Sequence, residues 1–155
     1  MKRCPVRERI DFGTDIANLQ QANRLKMDNP APKTILFIDD DPTIIFAYRT
    51  RLTQAGYVVQ PAGDGLEAMR QLALTVPDII ILDLVMPKFN GVEIMGFIRS
   101  NPKLKNTPVI VLSSQSIIDS AGEPILETAY RRLIKGACSP DKLLEAIQEL
   151  LSRPS

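Results

Sequence analysis

The run Pro77-Asp78-Ile79-Ile80-Ile81-Leu82-Asp83-Leu84-Val85-Met86-Pro87 ends its apolar stretch on a carboxylate, Asp83. Three other apolar runs also stop at polar groups. Thr34-Ile35-Leu36-Phe37-Ile38 gives way to Asp39-Asp40-Asp41-Pro42, Pro108-Val109-Ile110-Val111-Leu112 to Ser113-Ser114, and Arg132-Leu133-Ile134 to Lys135-Gly136. Each polar residue alone is an ordinary turn former. Acids after two runs, a hydroxyl after a third and a lysine after a fourth form a joint pattern. If Asp39, Asp40 and Asp83 converge, each carboxylate pair at about 4 Å costs roughly 4 kcal/mol at an effective dielectric near 20. A raised pKa, a lysine or a divalent cation would relieve that repulsion. Oxygen-only donors suit Mg²⁺, or Mn²⁺, with positions left open for a phosphoryl oxygen. Asp83 is then a candidate nucleophile that forms an acyl phosphate. The metal would neutralise one side of the transferring group, Lys135 the other, and Ser113 would donate to a third oxygen. Positioning and charge carry most of such a transfer, so no histidine base is needed.

The elements that must bring these groups together are legible from periodicity and punctuation. Short apolar runs bounded by prolines read as strands buried on both faces. Asp41 and Pro42 suit the N-cap and first turn of a helix that runs to about Gln54 with Ile44, Tyr48, Leu52 and Ala55 on one face, and Gly56 stops it. Tyr57 to Pro61 reads as a strand, and a helix bearing Ala68, Met69, Leu72 and Ala73 follows Gly65. Gly91 to Ser100 is a third helix, while Gly122 and Pro124 break the element between Ile117 and Tyr130, whose better half starts near Pro124. Pro140 opens a last helix with Leu143, Leu144, Ile147, Leu150 and Leu151 at helical spacing. Five strand-helix units in alternation predict an α/β fold with a doubly wound five-stranded parallel sheet, order 2-1-3-4-5, flavodoxin-like. In that order the first and third strands are neighbours, which gathers Asp39, Asp40 and Asp83, with Ser113 and Lys135 to one side.

Composition removes other chemistries. The 155 residues carry a net charge of +1 and are 45% hydrophobic, which suits one globular domain with some chain to spare. Residues 33–153 are assigned to it, and residues 1–32 to an extension in which Ile16, Leu19 and Ala22 line a weak helical face before the stiff Asn29-Pro30-Ala31-Pro32 linker. The near-neutral charge gives no pull toward nucleic acid or an anionic membrane. No signal peptide or membrane span is visible, and Cys4 and Cys138 fit a reducing compartment, so a cytoplasmic location is expected. Histidine is absent, which excludes Ser-His-Asp and Cys-His catalysis, His-ligated zinc and a phosphohistidine carrier role.

From about Lys33 to Leu151 the chain resembles the response-regulator receiver domains of bacterial two-component signalling. The resemblance rests on Ile35 through Pro42, Leu52 with Ala55-Gly56-Tyr57, Asp64-Gly65-Leu66-Glu67-Ala68, Pro77 through Pro87, Asn90-Gly91-Val92-Glu93, Thr107 through Ser113, and Lys135. It implies that Asp83 is the phosphoacceptor, taking a phosphoryl group from a sensor histidine kinase or phosphotransfer protein. It implies that Asp40, Asp83 and the Val85 carbonyl bind Mg²⁺ directly, with Asp39 acting through water. Ser113 would be the switch hydroxyl and Lys135 the phosphate-binding lysine. Phosphorylation would reshape the face made by the fourth helix, fifth strand and fifth helix, which a downstream protein or a second copy of the chain reads. With no further domain after Ser155, a stand-alone receiver is expected.

Three positions depart from the family pattern. Gly136 replaces the proline that usually follows the lysine; a cis bond before glycine would cost about 2.5–4 kcal/mol, so a trans peptide is expected, with glycine absorbing unusual angles. Arg132 replaces the switch aromatic, and Tyr130 shares that side of the strand only if the register is regular. Gly122 and Pro124 interrupt the fourth helix. These departures motivate an alternative, a receiver-fold interaction module whose output is independent of phosphorylation. A second alternative is a haloacid-dehalogenase-type phosphatase, since Asp39-Asp40-Asp41-Pro42-Thr43 satisfies its D-x-D-x-T motif, with Asp39 as nucleophile and Asp41 as general acid; it lacks that family's later acidic pair and leaves Asp83 without a role.

Overall fold

A computed structural model describes residues 16–18, 20–21, 30–114 and 124–153. The chain divides into two units, Met1–Ala31 and Pro32–Ser155. In the first, residues 16–18 and 20–21 are helical and Ile16 is exposed; Leu19 and Ala22, its expected companions, lie outside the described residues.

In the second unit the order is β1 (Thr34–Ile38), α1 (Pro42–Gln54), β2 (Val58–Ala62), α2 (Gly65–Leu74), β3 (Ile79–Leu82), α3 (Gly91–Ser100), β4 (Val109–Ser113), a 3₁₀ turn (Pro124–Thr128), β5 (Arg131–Ile134), a second 3₁₀ turn (Lys135–Ala137) and α4 (Pro140–Leu151). All strands are parallel, in the order β2-β1-β3-β4-β5 that the alternation predicts. The pleat divides each apolar run between two cores. Leu36, Ile38, Ile80, Leu82, Val109 and Val111 pack with Ala68, Leu72, Ile94, Met95 and Ile98 of α2 and α3. Ile35, Phe37, Ile79, Ile81, Ile110 and Leu112 pack with Tyr48 and Leu52 of α1 and with Leu143, Leu144, Ile147 and Leu150 of α4. This two-sided burial explains why the strands read as unbroken apolar runs.

Side-chain caps fix where the helices start. Asp41 accepts from the Thr43 and Ile44 amides, Asn90 from Val92 and Ser139 from Lys142, with prolines in the first turns of α1 and α4. At α2, Asp64 accepts from the Glu67 amide while the Glu67 carboxylate accepts from the Gly63 amide, close to a capping box.

The structure corrects several boundaries. β2 starts at Val58 because the Tyr57 amide closes α1 on the Leu52 carbonyl at 3.2 Å, just after Gly56 at φ +94°. β4 runs one residue later than predicted and takes in Ser113, which pairs with Ile134. Residues 117–123 of the broken element lie outside the described residues, and from Pro124 onward it is a 3₁₀ turn.

No peptide is cis among the described residues, as expected before Gly136. The unusual angles expected of Gly136 are not there: its φ is not left-handed, and a Cβ would meet nothing within 4 Å. Arg132 pairs with Val111 and so lies on the α2-α3 face, 3.5 Å from the Glu127 carboxylate. Tyr130 packs with the opposite core beside Leu133, so it does not replace the missing aromatic.

Candidate functional site

The hydrogen-bond ladder extends one rung past each strand and fixes the backbone of two acids. The Asp39 amide donates to the Ala62 carbonyl at 3.1 Å and the Asp83 amide to the Ile38 carbonyl at 2.9 Å. Because β1 and β3 are adjacent, the carboxylates of Asp39, Asp40 and Asp83 can each offer an oxygen, all within 4.8 Å of one another. Asp39 and Asp83 are buried; Asp40 is exposed.

The buried Asp83 carboxylate is fully engaged. Its Oδ1 accepts from the Ser113 hydroxyl at 3.2 Å and from the Val85 amide at 3.0 Å, and its Oδ2 accepts from Lys135 Nζ at 2.9 Å. Asp39 Oδ1 accepts from the Asp41 amide at 2.9 Å. Asp39 Oδ2, closed off from solvent, forms an ion pair with Lys135 Nζ at 2.6 Å. All five predicted side chains therefore meet at one end of the sheet, and the Val85 amide joins them.

Electrostatics sharpen the picture. Burial pushes the Asp39 carboxyl above its ordinary value; Lys135 and the Asp41 amide offset only part of this, and the nearby Asp83 charge adds to it. Burial alone would lower Lys135, but its bonds to Asp39 and Asp83 carry it above the ordinary lysine value. The two directions pull against each other across one contact. The lysine's direction is the one the geometry enforces, since one ammonium meets two carboxylates.

One feature carries little signal in the sequence. Gly91 donates its amide to the Leu84 carbonyl, and a Cβ there would lie 2.6 Å from Leu84 Cα and 2.7 Å from the Asp83 carbonyl oxygen. Only glycine lets α3 press against the peptide of Asp83. A glycine opening a helix eight positions after the candidate nucleophile is the one local hint. Asp41 is spent capping α1, through bonds of 2.8 and 3.4 Å, which argues against the general-acid role that the phosphatase alternative requires.

Comparison with known proteins agrees with this geometry. Residues 35–148 match the response regulator receiver domain family. The transcriptional regulatory protein KdpE of Mycobacterium tuberculosis is 42% identical over 82 residues, 53% of this chain and 35% of that protein. The chain spans between 35% and 60% of the length of such curated relatives. The chemotaxis response regulator CheY4 of Vibrio cholerae is similar in structure at a TM-score of 0.70 and 29% identity, covering 77% of this chain and 98% of that one. The response regulator TrrA of Thermotoga maritima, solved in complex with Mg²⁺-BeF, gives a TM-score of 0.67 at 29% identity over 76% of this chain and 98% of its own. A complex of TrrA with the histidine kinase ThkA matches at a TM-score of 0.67 and 31% identity, over 77% of this chain and 99% of that one. The family match runs through every strand end that carries a site residue, and the chain belongs to the response regulator receiver domains of two-component signalling.

Proposed function

We propose that Asp83 receives a phosphoryl group from the histidine of a sensor kinase or phosphotransfer protein, and that residues 33–153 are the receiver unit with 1–32 as an extension. The observation that carries this reading is the set of contacts on Asp83: an ammonium, a hydroxyl and an amide on one buried carboxylate. In the transfer, a bond forms between an Asp83 oxygen and phosphorus as the donor's nitrogen–phosphorus bond breaks. The electron pair stays on the imidazole nitrogen, which takes up a proton. Lys135 then faces the phosphoryl oxygens as a fixed positive charge, and Ser113 donates its hydroxyl to one of them.

The donor set fits a hard cation, since Asp39, Asp40 and Asp83 supply only oxygen and converge within 4.8 Å. Asp40, Asp83 and the Val85 carbonyl would hold Mg²⁺, or Mn²⁺, with Asp39 acting through water. Asp39 suits that indirect role because its carboxylate is fully buried, with Oδ2 beside Lys135 closed off from solvent, whereas Asp40 is exposed. When bound, the ion neutralises charge on the phosphoryl oxygens. TrrA, solved with Mg²⁺-BeF and with ThkA, supports both the ion and the kinase partner.

Among the described residues no helix is long and apolar enough to cross a membrane, and a cytoplasmic setting with a downstream protein partner and no direct nucleic-acid contact fits this reading. The face made by the 124–128 turn, β5 and α4 would carry the output, to a target or a second copy of the chain. The Arg132–Glu127 pair on that face favours one alternative, a module whose output ignores phosphate. Incubation with acetyl phosphate and Mg²⁺, followed by intact mass and partner binding, tests both. A phosphoryl adduct that is absent from Asp83→Asn and that changes association supports the phosphoacceptor reading. An adduct with unchanged association supports the module. An adduct that persists in Asp83→Asn removes Asp83 from the mechanism.

A further inference from the structure

Lys135 is the last site residue in the chain, and it opens a turn that little in its own sequence holds still. Gly136 follows it with open space where a side chain would be. β5 fixes only the near side of the lysine, through Ile134 paired with Ser113. The far side is held by side chains reaching in from two helices. Lys142 of α4 donates to the Ala137 carbonyl at 3.2 Å, from an exposed position. From α1, the hydroxyl of Tyr48 donates to the Cys138 carbonyl in a buried contact. The Tyr48 ring is itself wedged, 4% exposed, against Phe37 of β1 with centroids 5.6 Å apart. One turn further along α1, Arg51 pairs with Asp141 at 2.6 Å and secures the start of α4.

Resting on the proposed phosphoacceptor reading, we infer that Tyr48 is a positioning residue for Lys135: its hydroxyl fixes the 135–138 turn so that the ammonium meets Asp83. Sequence periodicity assigns Tyr48 only to the apolar face of α1, a role that phenylalanine would fill as well. The hydroxyl is what phenylalanine lacks. The bond is made to a main-chain carbonyl three residues past the lysine, in the turn where proline is replaced by the freer Gly136. Burial, and after it the neighbouring Cys138 side chain, push the Tyr48 hydroxyl up to about 12, so it stays a donor through the working pH range.

The test is Tyr48→Phe in the full chain, with Mg²⁺ binding and Mg²⁺-dependent beryllofluoride binding measured separately by calorimetry. A buried hydrogen bond of ordinary strength predicts beryllofluoride affinity about 3- to 10-fold weaker, with Mg²⁺ affinity not weakened, because the Lys135 ammonium competes with the ion for Asp39 and Asp83 rather than holding it. In a Lys135→Ala background, Tyr48→Phe should add nothing. Adding Gly136→Ala, which fits the open space and stiffens the turn, should recover part of the loss. Equal weakening of Mg²⁺ and beryllofluoride binding, or an undiminished effect in Lys135→Ala, would reduce Tyr48 to a packing residue of α1. Unchanged beryllofluoride affinity would overturn the assignment outright. If the unsubstituted chain bound Mg²⁺ but no beryllofluoride, the phosphoacceptor reading would fail first and this assignment with it.

Discussion

β3 carries an aspartate at each end, both beside β1, and the two ends behave in opposite ways. Before β3, Asp78 accepts from the Thr34 amide at 2.8 Å, the Thr34 hydroxyl at 3.1 Å and Lys33 Nζ at 2.9 Å. Burial would raise its pKa, but those partners outweigh it and hold the carboxyl below its ordinary value. After β1 and β3, three carboxylates converge and one lysine pairs with two of them, Asp39 and Asp83, and burial drives Asp39 the other way. Aspartate beside lysine occurs at both poles, so the pairing alone does not mark a site. Surplus does. One carboxylate with three donors is a finished structural staple. Three converging carboxylates with one ammonium on two of them leave negative charge that a cation and a phosphoryl group can use.

The largest break in that contrast comes from Lys135→Ala. Removing a fixed charge aimed at the transferring group predicts labelling by acetyl phosphate about 100- to 1000-fold slower. Near neutral pH the variant should also lose about 3 kcal/mol of stability, because Asp39 is left buried without its cation. Asp39 can escape by taking up a proton, so urea unfolding should show the deficit shrinking as pH falls. Labelling within tenfold of the unsubstituted rate would mean that the lysine is as structural as its counterpart at the other pole.

How much of this was legible in the chain depends on the range of the physics involved. Ile79-Ile80-Ile81-Leu82 declares a strand buried on both faces, and the alternation of such runs with capped helices leaves few topologies, so Asp39, Asp40, Asp83, Ser113 and Lys135 could be gathered before any coordinates. Tyr57 resisted because its amide serves either a strand or the end of a helix, and the left-handed Gly56 decides in favour of the helix. Tyr130 resisted because strand alternation starts only at Arg131, which puts its ring on the other face from Arg132. The Tyr48 hydroxyl resisted most, since its acceptor lies 90 positions away on a main-chain carbonyl that has no residue signature.

Asp78→Asn tests the opposite pole and should have a smaller effect. Asparagine keeps an acceptor for Thr34 but loses the charge, and a carboxylate about a third exposed is partly screened, so a loss of about 1 kcal/mol is expected. The pH dependence has a definite sign. A folded-state pKa below 3.8 means that the stabilisation is fully present above the unfolded value and drains away as pH falls through the folded one. The gap between the two proteins in urea titrations should therefore close in acid, while acetyl phosphate labelling stays the same. A gap that widened in acid would contradict the lowered pKa and the finished character of this pole.

Lys33→Ala should do least. Its ammonium is half exposed, and the ion pair with Asp78 spans two surface positions, a geometry that contributes within about 0.5 kcal/mol. The Thr34 amide and hydroxyl stay on Asp78 Oδ2 after the lysine is gone, so the carboxylate keeps its inner partners. Added salt should therefore leave the difference between variant and parent unfolding curves almost flat. A loss equal to that of Asp78→Asn, fading as salt is raised, would show that both poles depend on their lysine and that surplus charge is not what separates them.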